Sequence, residues 1–117
     1  MRTRLLVPLF AVAIVLLAGC AAQPSAAAAP VETAEVTMPP SYRFDPPAIQ
    51  VPAGTTVTWR NSDNFTHSVS VAGGKFPFLN LPPGQSGAII FDQPGAYSYI
   101  CTYHAQDMKG TVIVVAR

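Results

Sequence analysis

Charge is scarce in this chain. Only 11% of its 117 residues are Asp, Glu, Lys or Arg and the formal net charge is +1, which excludes a basic face for nucleic acid or a polybasic membrane patch. Thiols are as rare, with Cys20 and Cys101 the only two, too few for a disulfide framework or for a zinc site made of cysteines alone. Histidine is limited to His67 and His104. No stretch reads as a convincing helix, no internal repeat is evident, and no oxyanion motif accompanies the thiol, so an enzyme is not expected.

What is present begins with a leader-like segment. MRTR gives a positive start, LLVPLFAVAIVLL an apolar run, and Leu17-Ala18-Gly19-Cys20 ends it with small residues before a cysteine. The apolar core from Leu5 to Ala18 has about fourteen residues, short of the roughly 17 to 25 that a spanning helix needs. The ending resembles a bacterial lipobox. That resemblance implies cleavage of residues 1–19 as a signal peptide, lipid on Cys20, and anchoring to the outer face of a bacterial membrane, periplasmic or cell-surface. Loss of Arg2 and Arg4 would leave five basic against six acidic residues. Residues 20–33, rich in Ala and Pro, read as a flexible linker, and the folded part is expected over 34–117, about 84 residues with one modest core.

In that part, strand-like runs alternate with Pro and Gly. Candidate strands are Glu35 to Met38, Ala48 to Val51, Thr55 to Arg60, Ser68 to Val71, Ala88 to Phe91, Tyr97 to Cys101 and Thr111 to Val115. About seven or eight short strands predict an all-β, antiparallel sandwich. The two-residue period puts Val57 with Trp59 on one face, and His67 with Val69 and Val71. Tyr97, Tyr99 and Cys101 share a face by the same count. Pro94-Gly95-Ala96-Tyr97 has the pattern of a tyrosine corner, while Gly54 and Gly110 read as turn glycines.

If Cys20 carries lipid, Cys101 is the one remaining thiol of an exported protein, and it is either buried and inert or bound to something. A thiolate, the imidazoles of His67 and His104 and the thioether of Met108 form a donor set suited to copper, because soft sulfur favours Cu(I) and imidazole holds both oxidation states. Methionine is a poor zinc ligand, and a Cys-His catalytic pair gains little from it.

Residues 54–71, GTTVTWRNSDNFTHSVSV, and 94–115, PGAYSYICTYHAQDMKGTVIVV, resemble the small blue copper proteins, the cupredoxins, of the plastocyanin, amicyanin and pseudoazurin kind. The resemblance implies a Greek-key sandwich with one type 1 copper at one end. It assigns His67, Cys101 and His104 as equatorial ligands and Met108 as the long axial one. It also places Ser68 to bond the Cys101 sulfur and to tie, with Thr102, the two ligand loops together. Three residues separate His104 from Met108, and Tyr103 stands where a proline often precedes the second histidine. The function implied by the resemblance is that of an extracytoplasmic one-electron carrier, with a copper carrier or buffer as the alternative and a metal-free binding module as a third class. A monomer is expected, docking redox partner proteins near His104 on an apolar surface to which Phe76-Pro77-Phe78-Leu79 contributes, with at least one of Phe76 and Phe78 folding back into the core.

Overall fold

The computed structural model describes Gly19 and residues 28–117. Cys20 and most of the expected leader and linker lie outside the described residues. Nine strands form: β1 Val31–Glu32, β2 Glu35–Met38, β3 Ala48–Pro52, β4 Thr55–Asn61, β5 His67–Val71, β6 Leu79–Leu81, β7 Ser86–Phe91, β8 Gly95–Ile100 and β9 Lys109–Val115. They make a six-stranded sheet, in the order β1-β3-β9-β8-β5-β6, and a three-stranded sheet, β2-β4-β7. Among the described residues there is no helix. The architecture is the expected β-sandwich, with a mixed pairing: β1·β3, β3·β9 and β2·β4 are parallel, and the rest antiparallel.

Alternation explains which side chains fill the space between the sheets. Val57, Trp59, Ile49, Val69 and Val112 are fully buried, with Ile89, Phe91 and Tyr99 nearly so. Burying a side chain of this size contributes about 1.5–3 kcal/mol against its conformational cost, so these inward rows dominate the stability. The rings interlock, with Tyr99 edge-on to Phe44 at 4.7 Å and to Trp59 at 5.3 Å between centroids. Both ends of that last pair are polar: Trp59 Nε1 and Tyr99 Oη are buried without a hydrogen-bond partner. Burial pushes the Tyr99 phenol up to about 12; the neighbouring Trp59 opposes part of that rise, though the two do not meet hydrogen-bond geometry.

Tyr97 closes the far end, its hydroxyl donating to the Gln93 carbonyl at 2.7 Å. Gly54 takes φ of 90°, the turn conformation expected of it. Gly110 departs from the turn role expected of it. It lies inside β9, where a Cβ would run into the Cζ and hydroxyl of Tyr99, so close approach of a core ring, not a turn, requires glycine there. Most strands run one or two residues past their expected bounds, and three further differences bear on the fold. β1 pairs Val31 with Ile49, inside the expected linker; β6 forms in a segment read as loop, held by β5; and β8 ends at Ile100, leaving Cys101 one step beyond it.

The site's place follows from how β5 and β8 separate. They pair only at Ser70 with Ile100 and Val71 with Tyr99, while on the opposite edge of β5 His67, Ser68 and Val69 pair with β6. The same register, continued, sets Ser68 opposite Thr102. A side chain and a sulfur take over the hydrogen bonding there.

Candidate metal centre

His67 opens β5 and is fully buried. The loop from β4 to β5 is fixed by Asn61, whose Nδ2 donates to the Phe65 carbonyl at 2.7 Å and to the Leu81 carbonyl at 2.8 Å. The Asp63 N–H donates to Asn61 Oδ1 at 2.9 Å, and the Asn64 N–H to Asp63 Oδ1 at 2.7 Å. The second carboxylate oxygen, Oδ2, lies 2.9 Å from His67 Nε2. The hydrogen bond from His67 holds the Asp63 carboxyl below its ordinary range of 3.8, helped by the Asn64 amide and opposed by burial. In the neutral imidazole a carboxylate that accepts the Nε2 proton leaves Nδ1 without one. That bare nitrogen faces Cys101 Sγ at 3.8 Å.

Asp63 is a residue to which the sequence alone assigned no role. The signal was the Asn-x-Asp-x-x-x-His step at 61–67, which put a carboxylate four residues before a histidine. What it lacked was the loop geometry that turns the carboxylate inward.

Cys101 is fully buried and is a free thiol. Its sulfur accepts from the Ser68 N–H at 3.4 Å, with Ser68 Oγ at 3.8 Å. Ser68 Oγ accepts the Thr102 N–H at 2.8 Å and shares a hydrogen bond with Thr102 Oγ1, also 2.8 Å. Two segments more than thirty residues apart are thereby joined directly at the sulfur.

From Cys101 the chain makes a tight loop and returns. The His104 N–H donates to the Cys101 carbonyl at 3.2 Å, the Met108 N–H to the His104 carbonyl at 2.9 Å, and the Cys101 N–H to the Met108 carbonyl at 3.0 Å. That last bond seats Met108 against Cys101, and its side chain is fully buried. His67, Cys101 and Met108 are therefore placed like a copper site. His104 stands at the rim, half-buried, its ring centroid 5.5 Å from that of His67. Among the described residues, no three His, Cys, Asp or Glu side chains already form a closed cage.

The ring lying on His104 is Tyr42, from the segment between β2 and β3, at 4.2 Å between centroids. Tyr42 and Ser41 have φ of 52° and 84°, a left-handed backbone that costs a non-glycine residue about 1 kcal/mol or more. Residues 76–79 divide between core and surface as expected, with one phenylalanine folded back. Phe76 turns back onto Phe91 and Tyr97, at 5.1 and 5.3 Å, while Phe78 is exposed. The aromatics grouped near His104 are instead Tyr42 and Phe65, 6.1 Å apart.

This geometry has counterparts among known proteins. Residues 9–114 match the family model of the cupredoxin-like domain. Amicyanin-alpha of Methylorubrum extorquens is 34% identical over 93 residues, covering 74% of this chain and 75% of that protein. The crystal structure of amicyanin from Paracoccus versutus superimposes with a TM-score of 0.64 at 30% identity, over 74% of this chain and 85% of that one. A methionine-to-alanine variant of amicyanin with Cu(I) gives a TM-score of 0.62 at 28% identity, over 69% and 80% of the two chains. Sandwich, inward thiol and family match agree: the chain belongs to the cupredoxin-like domain family.

Proposed function

We propose that the protein is a mononuclear blue copper protein that carries single electrons outside the cytoplasm, held to the outer face of a bacterial membrane by lipid on Cys20. The approach of His67 Nδ1 to Cys101 Sγ at 3.8 Å, in a buried pocket to which Met108 returns, carries this reading. His67, Cys101, His104 and Met108 would together hold one copper ion. Sulfur and imidazole together suit both Cu(I) and Cu(II), and the ion supplies the one-electron couple.

The chain's own residues supply the rest. Asp63 keeps the His67 proton on Nε2, leaving Nδ1 free to ligate. The Ser68 amide withdraws charge from the sulfur, and the Ser68–Thr102 bonds keep the two ligand segments from moving apart. A frame that does not shift between oxidation states is what fast electron exchange requires, and a β-sandwich anchored on both sides of the site provides one. Redox partner proteins would dock at the His104 end.

Voltammetry of the copper-loaded protein tests the proposal. A reversible one-electron wave, with copper lost only slowly to a chelator, is the expected result. An irreversible wave with rapid transfer to an apo-acceptor would replace electron carriage by copper delivery.

A further inference from the structure

We propose that Tyr42 is a lid on the His104 side of the site: it positions that imidazole and shuts out external ligands, so that the metal exchanges electrons without binding a substrate. This rests on the reading of the site as a copper centre. Tyr42 belongs to neither of the segments that carry the ligands. It reaches the site from the β2–β3 connection, through two successive non-glycine residues in the left-handed region. Such a backbone persists only where its surroundings fix it; here the Thr37–Asp45 backbone hydrogen bonds close the loop and Phe44 is buried beneath it, which holds the Tyr42 ring out over the imidazoles. Tyr42 lies 4.2 Å from His104, inclined by 45°, and 6.3 Å from His67, edge-on at 84°, with Phe65 behind it at 6.1 Å. One side chain thus spans both imidazoles.

The ring itself does this, since the Tyr42 hydroxyl makes none of the side-chain hydrogen bonds found among the described residues. Phenylalanine should serve as well. At 41% exposed, Tyr42 is partly open to solvent and outside the core, so its removal leaves the sandwich intact. His67, Cys101 and Met108 are fully buried. The half-buried His104 is the exposed edge of the set, and Tyr42 covers it.

The test uses the purified protein without and with copper, as wild type, Tyr42→Leu, Tyr42→Phe and Ser41→Gly. In the apo-protein, proton NMR of the His104 ring reads the stacking directly, because an aromatic face at 4.2 Å displaces nearby resonances upfield. The displacement should vanish in Tyr42→Leu, persist in Tyr42→Phe, and weaken in Ser41→Gly, where the turn is loosened and the ring is unchanged. With copper bound, azide followed by visible absorption and EPR should bind Tyr42→Leu at least tenfold more tightly than wild type or Tyr42→Phe. His104 resonances that are identical in wild type and Tyr42→Leu would overturn the proposal, as would equal azide affinities throughout. Failure of every variant and the wild type to take up copper would instead defeat the copper reading, and the apo-protein resonances would still decide the position of the lid.

Discussion

Replacing Ser68 with alanine separates the scaffold around the sulfur from its electronic environment. The substitution deletes the Oγ that meets the Thr102 N–H and Thr102 Oγ1, both at 2.8 Å, and with them its weaker approach to Cys101 Sγ at 3.8 Å. It leaves the Ser68 backbone N–H on Cys101 Sγ at 3.4 Å. A typical intramolecular hydrogen bond is worth a net of about 0.5–1.5 kcal/mol, so losing two costs about 1–3 kcal/mol. Thr102 is exposed, and water can re-form part of what it loses, which places the expected loss in the lower half, about 1–2 kcal/mol. Urea denaturation of the apo-protein measures it. Copper affinity should fall as the 67–68 and 101–102 segments loosen, while the reduction potential moves little because the amide bond to sulfur survives. A stability change under about 0.5 kcal/mol, together with unchanged copper affinity, would refute the claim that Ser68 Oγ ties the two segments.

Asp63→Asn keeps an acceptor for His67 Nε2 but removes a buried negative charge beside the site; the reduction potential should rise, read by voltammetry, and a fall would contradict the placement of Asp63. Gly110→Ala forces a methyl into the Tyr99 ring and should lower stability by about 1–3 kcal/mol in thermal or urea melts. Tyr99→Phe removes a buried hydroxyl that has no partner and should leave the protein as stable or more stable by about 1 kcal/mol at neutral pH. The same variant alters the alkaline limb. A phenol raised from 10.0 to about 12 in the folded state keeps its full contribution below 10 and loses it as pH climbs through 12, so wild-type stability should decline over that window more steeply than that of Tyr99→Phe.

Local signals in the sequence were enough for most of the frame. The period of two placed Val57 and Trp59, and His67 with Val69 and Val71, on inward faces because each run is long enough for one side to be apolar throughout. The short strands escaped. β6 is Leu-Asn-Leu between Pro77 and Pro82, and it is a strand only because the outer edge of β5 offers it a partner. β1 likewise forms on the outer edge of β3, beyond a proline-flanked alanine run.

The candidate ligands could be picked out by residue type alone, since a chain with two histidines and two cysteines, one of them ending the leader-like segment, offers little choice. Their supports could not. Asp63 becomes a partner of His67 only after Asn61 has folded the intervening loop. Tyr42 lies in a stretch whose Ser and Tyr disfavour the backbone they adopt, so nothing local announces it. Gly110 looks like any other turn glycine until Tyr99, from the adjacent strand, is packed on it. Tyr42 and Gly110 depend on contacts with other segments, and Asp63 on the conformation of its whole loop.

The central claim is that Cys101 and the imidazoles gather around copper, and optical titration tests it most directly. Cu(II) added to the purified protein should produce an intense blue sulfur-to-copper absorption that saturates at one ion per chain and is absent from Cys101→Ser. A colourless protein, or a band that persists without the Cys101 sulfur, would contradict the account.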